Sequence, residues 1–375
     1  MSNTYDVIVL GVGGMGSATL FELARRGRRV LGLEQFAPGH DQGSSHGHTR
    51  VIRQAYYEHP AYVPLARRAY ERWYELEQLT GRHLFTECGC LNIGPPDGEL
   101  VTGVNQSATE HGLPVERFSA AELRRRFPMF QLTDEFAGIY EQNAGFLYVE
   151  SCVTAHVEAA VSLGAVVRAN EEAIEWKVTG KGVEVRTGKD TYHAAKLVVT
   201  AGAWATRLLR DIGVSLSVMR QVLHWFASDP ANFRRDRFPV FLTDTPEGQF
   251  YGLPAIDRRG VKVARHYGAP ELPAPEGVDW SVDSSDADGV RAFLRTYLPS
   301  ADCPPSDAKV CMYTLSPDRH FVIDIHPLFP QVAIAAGFSG HGFKFASVVG
   351  EVLADLAETS HTRHDIAMLR TGRFA

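Results

Sequence analysis

The stretch Tyr5-Asp6-Val7-Ile8-Val9-Leu10-Gly11-Val12-Gly13-Gly14-Met15-Gly16 decides how the rest of the chain is read. Tyr5 to Leu10 is a short apolar run with the length of a buried strand. It enters three glycines, Gly11, Gly13 and Gly16, at G-x-G-x-x-G spacing. An apolar-rich helix is expected from about Ser17 to Arg26, closed by Gly27, where a left-handed cap is needed. Arg29 to Leu33 reads as a second strand, with Glu34 at its end. Strand, glycine turn, helix, strand and terminal acid form a βαβ unit, the context in which this spacing binds a dinucleotide. Gly11 permits the tight turn, Gly13 lets backbone approach a pyrophosphate, and Gly16 lets the helix pack close on the strand. The helix N-terminus offers free N–H groups and its positive dipole end to phosphates. Glu34 is placed to accept hydrogen bonds from ribose hydroxyls. The fingerprint alone does not separate FAD from NAD.

Outward from this unit, 375 residues exceed what one hydrophobic core fills, so two domains are expected. A polar loop spans Pro38 to Thr49, and a helix is expected from about Tyr62 to Leu79. Its apolar face is Tyr62, Leu65, Ala66, Ala69, Trp73 and Leu76. Segments around Phe85 to Ile93 and Phe136 to Tyr148 read as strands, and Ser151 to Leu163 as a helix stopped by Gly164. Val183 to Arg186 and Leu197 to Thr200 are further strands, the latter entering the small-residue turn Ala201-Gly202-Ala203. Val222 to Val263 alternates strand runs with Pro/Gly turns, which suits an antiparallel sheet. Pro270 to Asp288 looks like a surface excursion. Val310 to Tyr313 and Arg319 to Ile325 look like a strand pair; Val332 to Ala336 is a strand, and a last helix runs from about Phe343 to Leu356.

The composition, 45% apolar and 22% charged, is that of an ordinary globular enzyme. A net charge of −6 without a dense basic cluster argues against a nucleic-acid partner. No apolar run is long enough to span a membrane, and neither terminus carries an export, peroxisomal or lipidation signal, so a cytoplasmic location is expected. The five cysteines, Cys88, Cys90, Cys152, Cys303 and Cys311, are scattered and odd in number, which is not a disulfide framework. The C-x-C pair Cys88 and Cys90 and the H-x-H pair His46 and His48 lack further ligands at zinc spacing, so no metal is expected.

Three more segments carry the argument to a family. They are Gly43-Ser44-Ser45-His46-Gly47-His48-Thr49-Arg50-Val51-Ile52-Arg53, Cys311-Met312-Tyr313-Thr314, and Gly337-Phe338-Ser339-Gly340-His341-Gly342-Phe343-Lys344-Phe345. Together they closely resemble the monomeric sarcosine oxidase and N-methyl-tryptophan oxidase family, over essentially the whole chain. Leu197 to Trp204 resembles the second dinucleotide-contacting strand of flavin-dependent amine oxidases, though residue by residue it also reads as an ordinary buried strand and turn.

The resemblance implies a mixed α/β (α+β) fold. A Rossmann-type FAD-binding domain is expected over residues 1–85, 145–215 and 310–375. A substrate domain with a mostly antiparallel sheet is expected over 86–144 and 216–309. Cys311 matches the cysteine that forms a thioether to the flavin, although a buried inert thiol is the usual fate of a free cysteine. Ser44, Thr49, Gly340 and Gly342 fall with the cofactor-contacting residues. His46 and Arg50 match basic residues near the flavin, on the face away from substrate. Ser45 stands where the family commonly has a second histidine, and His48 where it commonly has aspartate. Arg53 and Lys344 match the pair that holds the substrate carboxylate, and Tyr251, His266 and Tyr313 line the substrate cavity. Lys262 matches an oxygen-activating lysine on the opposite flavin face. Residues 262 and 266 share strand parity, so these two roles require the strand to bend or end near Ala264.

The implied reaction is oxidation of the C–N bond of a small secondary amino acid to an imine that hydrolyses, with O₂ reduced to hydrogen peroxide and the protein acting as a monomer. A cyclic imino acid oxidase, a flavin dehydrogenase passing electrons to a carrier, an NAD(P) dehydrogenase and a non-catalytic flavin-binding module remain as alternatives.

Overall fold

The structure, a computed structural model, describes residues 3–375. Among them the strands form three sheets. The first has the βαβ unit at its centre. Thr4–Leu10 pairs in parallel with Val30–Leu33 on one side and with Thr191–Val199 on the other. The end of Thr191–Val199 continues in parallel to Phe329–Ala336. The intervening helix, Gly14–Arg25, packs between Val149–Ser162 and the final helix Ala346–Thr359. The C-terminal halves of these strands are apolar, as expected for a parallel sheet covered on both faces: Ile8, Val9, Leu31, Val198, Val199 and Ile334 are fully buried.

The second sheet is larger and almost wholly antiparallel. Ser217–Phe226 is its spine, pairing with Val261–Arg265 and with Pro305–Leu315. Gly248–Leu253 and Val240–Thr245 extend it towards Cys90–Gly94 and Ala137–Glu141. A phenylalanine-rich core, including Phe226, Phe241, Phe250 and Phe293, fills its outer face. The third sheet is small: Thr49–Ile52, Gly145–Tyr148 and Phe85–Glu87.

The sequence expectations hold for the principal elements, with several differences; among them, the run Phe136 to Tyr148 divides into Ala137–Glu141 of the large sheet and Gly145–Tyr148 of the small one. The first helix starts at Gly14, three residues before Ser17, because Gly13 is its N-cap and the remaining glycines belong to its first turn. The run Phe85 to Ile93 divides at Gly89, whose φ of 78° turns the chain from the small sheet into the large one. Val310–Tyr313 and Arg319–Ile325 do not pair with each other. Pro305–Leu315 lies in the large sheet and Val322–His326 pairs with Phe329–Ala336 in the first, so the link between them crosses from one sheet to the other. Helices Glu99–His111, Ala120–Arg126 and Asp288–Tyr297 were not foreseen; the last begins where the acidic excursion ends.

Candidate active site

A deep cleft runs from the glycine turn to the large sheet. At its first end the geometry comes from backbone. Gly11 has φ 84°, and a Cβ there would lie 2.6 Å from Thr200 O; a Cβ on Gly16 would lie 1.8 Å from Gly11 O. Nothing larger than glycine fits while the helix sits this close to the strand. The N-cap Gly13 has no side chain to cap the helix. Gly14 N–H donates to Ser45 Oγ at 3.1 Å, while the remaining first-turn donors have no partner within the helix. Glu34 is buried at the strand end, accepting from Val12 N at 2.8 Å and Phe36 N at 3.0 Å. Uncapped N-terminus, glycine turn and buried acid fit the pyrophosphate and ribose of FAD.

The middle of the cleft is organised by the Gly43-to-Arg50 loop. Ser44 Oγ donates to Met312 O at 2.6 Å, and Arg50 Nη2 donates to Ser44 O at 3.1 Å. The same Nη2 lies 3.3 Å from Cys311 Sγ, so a guanidinium stands directly beside the thiol. His46 is buried with neither ring nitrogen hydrogen-bonded. Burial, reinforced by Arg50, pulls it down to about 3. It is therefore neutral near pH 7, and the positive charge of the expected His46–Arg50 pair rests on Arg50. Ser44, Arg50, Gly340, Gly342 and Lys344 line the cleft, whereas Gly16, His46, Thr49, Lys262 and Cys311 do not.

At the far end, two cations converge. Arg53 is buried, donates to Ala55 O at 3.0 Å, and grips both oxygens of Glu58 at 2.9 and 2.8 Å. Its guanidinium lies over Tyr56 and Tyr57, 4.3 and 5.0 Å from the ring centres. Lys344 Nζ donates to His341 O at 2.6 Å and to Tyr56 OH at 3.4 Å. Burial and the neighbouring Arg53 lower it to about 7. Burial pushes the Glu58 carboxyl up, but Arg53, His341 and Lys344 more than reverse this and bring it to about 2. With Lys344 protonated, two positive charges face one negative, and the surplus suits a further carboxylate.

Opposite these cations stand Tyr251, His266 and Tyr313. His266 Nδ1 and Tyr313 OH are 3.2 Å apart, and the Tyr251 ring lies edge-on to His266 at 5.9 Å. Burial first, then the nearby His341, lowers His266 to about 3, so this wall is uncharged at neutral pH. Despite their shared parity, residues 262 and 266 have different neighbours. The strand stops at Arg265, and His266 N–H donates to Gln249 O at 2.8 Å while its ring turns to Tyr313. Lys262, inside the strand, points elsewhere: its Nζ donates to Gly47 O at 3.0 Å and Thr49 O at 2.6 Å.

Sequence reasoning missed Glu58, Tyr56, His341 and Gln249. Glu58 had a signal, since it is the only acid between Val51 and Leu65 and lies five residues from Arg53. Tyr56 had none, and His341 stood inside the quoted glycine-rich segment without a role of its own: Tyr56 OH and His341 Nδ1 meet at 2.5 Å across 285 positions.

Comparison with known proteins agrees with this geometry. The family model for FAD dependent oxidoreductases (DAO) matches residues 6–356. The chain is 43% identical to monomeric sarcosine oxidase of Streptomyces avermitilis, covering 100% of this chain and 99% of that one. It is 36% identical to N-methyl-L-tryptophan oxidase of Salmonella dublin, covering 99% of each. Among solved structures, NikD, an amino acid oxidase essential for nikkomycin biosynthesis, superposes with a TM-score of 0.86 at 27% identity, covering 98% of this chain and 97% of that one. The chain belongs to the FAD-dependent oxidoreductase family, in the branch that holds monomeric sarcosine oxidase and N-methyl-L-tryptophan oxidase. It is thus a flavoprotein oxidoreductase whose residues Gly11, Gly13, Gly16 and Glu34 fit the cofactor. Among the described residues, no helix is long and apolar enough to cross a membrane.

Proposed function

We propose that the protein oxidises a secondary, N-methyl amino acid such as sarcosine or N-methyl-tryptophan, giving an imine that hydrolyses and hydrogen peroxide. The observation that carries this reading is the convergence of buried Arg53 and Lys344 on a cleft whose other wall is the neutral set Tyr251, His266 and Tyr313. A carboxylate docks on the cations by charge-assisted hydrogen bonds. The amine then lies against groups that carry no positive charge, where its neutral, reactive form is favoured. Bound FAD supplies the redox chemistry, accepting a hydride equivalent and returning electrons to O₂. Arg50 contributes fixed positive charge where negative charge develops on the cofactor. Its contact with Cys311 holds that thiol beside Arg50 and Ser44 of the flavin-proximal loop, which supports thioether attachment there. Lys262 is the residue assigned to oxygen: two carbonyls hold its amine away from the carboxylate site, burial and then Arg50 draw it well below the ordinary lysine range, and a negative charge developing beside it favours its ammonium form. On this reading residues 1–85, 145–215 and 310–375 serve the cofactor and 86–144 and 216–309 the substrate, in a monomer located in the cytoplasm.

The test is anaerobic mixing of the holoprotein with a panel of secondary amino acids, followed by exposure to air. Bleaching of the flavin by N-methyl amino acids, then peroxide release, is expected. Acid precipitation is expected to leave a yellow pellet in wild type and a colourless one in Cys311→Ser. Bleaching without peroxide would identify a dehydrogenase instead.

A further inference from the structure

The turn Gly47-His48-Thr49 has a geometry that the cofactor and carboxylate sites do not use. Thr49 N–H donates to Gly47 O at 2.8 Å, closing a three-residue turn whose central residue, His48, has φ 68°. An i to i+2 hydrogen bond with positive φ is the rare, strained form of γ-turn, and a non-glycine residue held there marks a site whose surroundings enforce it. The enforcement is visible. Glu150 accepts the N–H of Gly47 at 2.8 Å and that of His48 at 3.1 Å, and Val149 N–H donates to His48 O at 3.0 Å. The result is that the carbonyls flanking His48 turn onto one ammonium, Lys262 Nζ, at 3.0 and 2.6 Å.

The side chain of His48 completes the arrangement. Its ring stands edge-on to Trp225 at 5.9 Å. Lys262 Nζ lies 5.6 Å and the Arg259 guanidinium 5.2 Å from the same indole. Lys262 is fully buried, whereas His48 is half-buried and reaches solvent. We infer that His48 is a positioning residue for the reaction with oxygen: its turn aims the Lys262 ammonium, and its imidazole adds a second, titratable positive charge beside it. This rests on the assignment of Lys262 to oxygen made above. As O₂ takes up an electron, negative charge develops, and each fixed cation nearby favours that step.

Groups from every neighbouring segment face the imidazole. Glu150, from the Val149–Ser162 helix, favours its proton. Arg259 (paired with Asp257 in the preceding turn), Lys309 from Pro305–Leu315 and Lys262 from Val261–Arg265 oppose it. Burial adds to the opposition and is the largest effect, so the ring titrates below the ordinary histidine range. The inferred charge is then absent at neutral pH and gained as pH falls.

The experiment is stopped-flow mixing of reduced holoenzyme with oxygenated buffer from about pH 8 down to about pH 4.5, a window that extends below the ordinary histidine range because His48 is lowered by burial. Wild-type reoxidation is expected to accelerate about fivefold towards acid, the size of one added charge several ångströms away at a high effective dielectric. His48→Asn, which tolerates positive φ, is expected to lose that rise while keeping anaerobic reduction within about twofold. An acid rise retained in His48→Asn, its absence from wild type, or equal slowing of both half-reactions in the variant would overturn the inference. Lys262→Met run alongside separates the two readings. If it reoxidises normally, the oxygen assignment itself fails; if it is slow while His48→Asn matches wild type, only the role of His48 fails. A second readout needs no turnover. In ¹³C-histidine NMR of the oxidised holoprotein, the His48 titration is expected to move upward in Lys262→Met, because a repelling cation is gone. An unmoved titration contradicts the coupling.

Discussion

The two ends of the cleft are made of different material. At the cofactor end the contacts come from main chain and small residues within Leu10 to Glu34, backed by Thr200. At the proposed substrate end they come from long side chains on segments scattered from Arg53 to Lys344, tied together by Glu58, Tyr56 and His341. The first end is a shape, set by how closely a helix and a strand approach. The second is a balance of charges, two cations against one resident carboxylate. A shape fails when one atom is added; a balance shifts by degrees when one charge is changed.

The largest effect is therefore expected at the cofactor end. Gly16→Val places carbon atoms where Gly11 O already sits, since even a Cβ would lie 1.8 Å from it. The purified protein is expected to be colourless and to lack FAD, by absorbance and by mass. A yellow Gly16→Val protein with normal FAD content would show that the helix and strand are not in close contact.

At the substrate end the expected effects are graded. Lys344, lowered by burial and then Arg53 to about 7, is charged below that pH and neutral above it. Its ammonium form is the one that binds a carboxylate, so binding takes up a proton above pH 7. The Kd for acetate, which has no amine of its own to titrate, is expected to be flat from about pH 5 to 7 and then to rise up to about tenfold per pH unit. His266 and His341, lowered by burial to about 3 and about 4, and Glu58, at about 2, do not titrate in that window. Lys344→Met is expected to bind acetate weakly and without this slope. A smaller change, in the opposite direction, is expected from Glu58→Gln. Without the resident anion on Arg53, acetate should bind more tightly by up to about tenfold, about 1.4 kcal/mol. Weaker binding in Glu58→Gln would mean that Glu58 orients Arg53 for the ligand instead of competing with it.

The same contrast explains what the sequence discloses. Gly11, Gly13, Gly16 and Glu34 were legible because they depend on spacing within one βαβ unit, and the structure shows the close helix–strand approach at Gly11 and Gly16 and the buried acid at the strand end. Arg53, Lys344, Tyr251, His266 and Tyr313 were legible only through resemblance, since nothing local links positions so far apart. Glu58, Tyr56 and His341 escaped because their importance lies in contacts with each other across the fold. The strand carrying Cys311 was given the wrong neighbour for a related reason. Sequence adjacency suggested pairing with Val322–His326, while the ten-residue run Ser217–Phe226 offered a longer register partner nearly a hundred positions away.

The central claim is that the cleft selects an amino acid by its carboxylate, through Arg53 and Lys344. The most direct measurement compares kcat/KM for the best secondary amino acid with that for its decarboxylated amine, in wild type, Arg53→Met and Lys344→Met. Losing one charged hydrogen bond costs about 1.5–3 kcal/mol, or about 10–150-fold at about 1.36 kcal/mol per tenfold. Wild type is expected to favour the amino acid by at least that factor, and each variant to lose most of the preference through the amino acid alone, with the amine turned over as before. A wild-type enzyme that oxidises the decarboxylated amine as well as the amino acid would contradict the account.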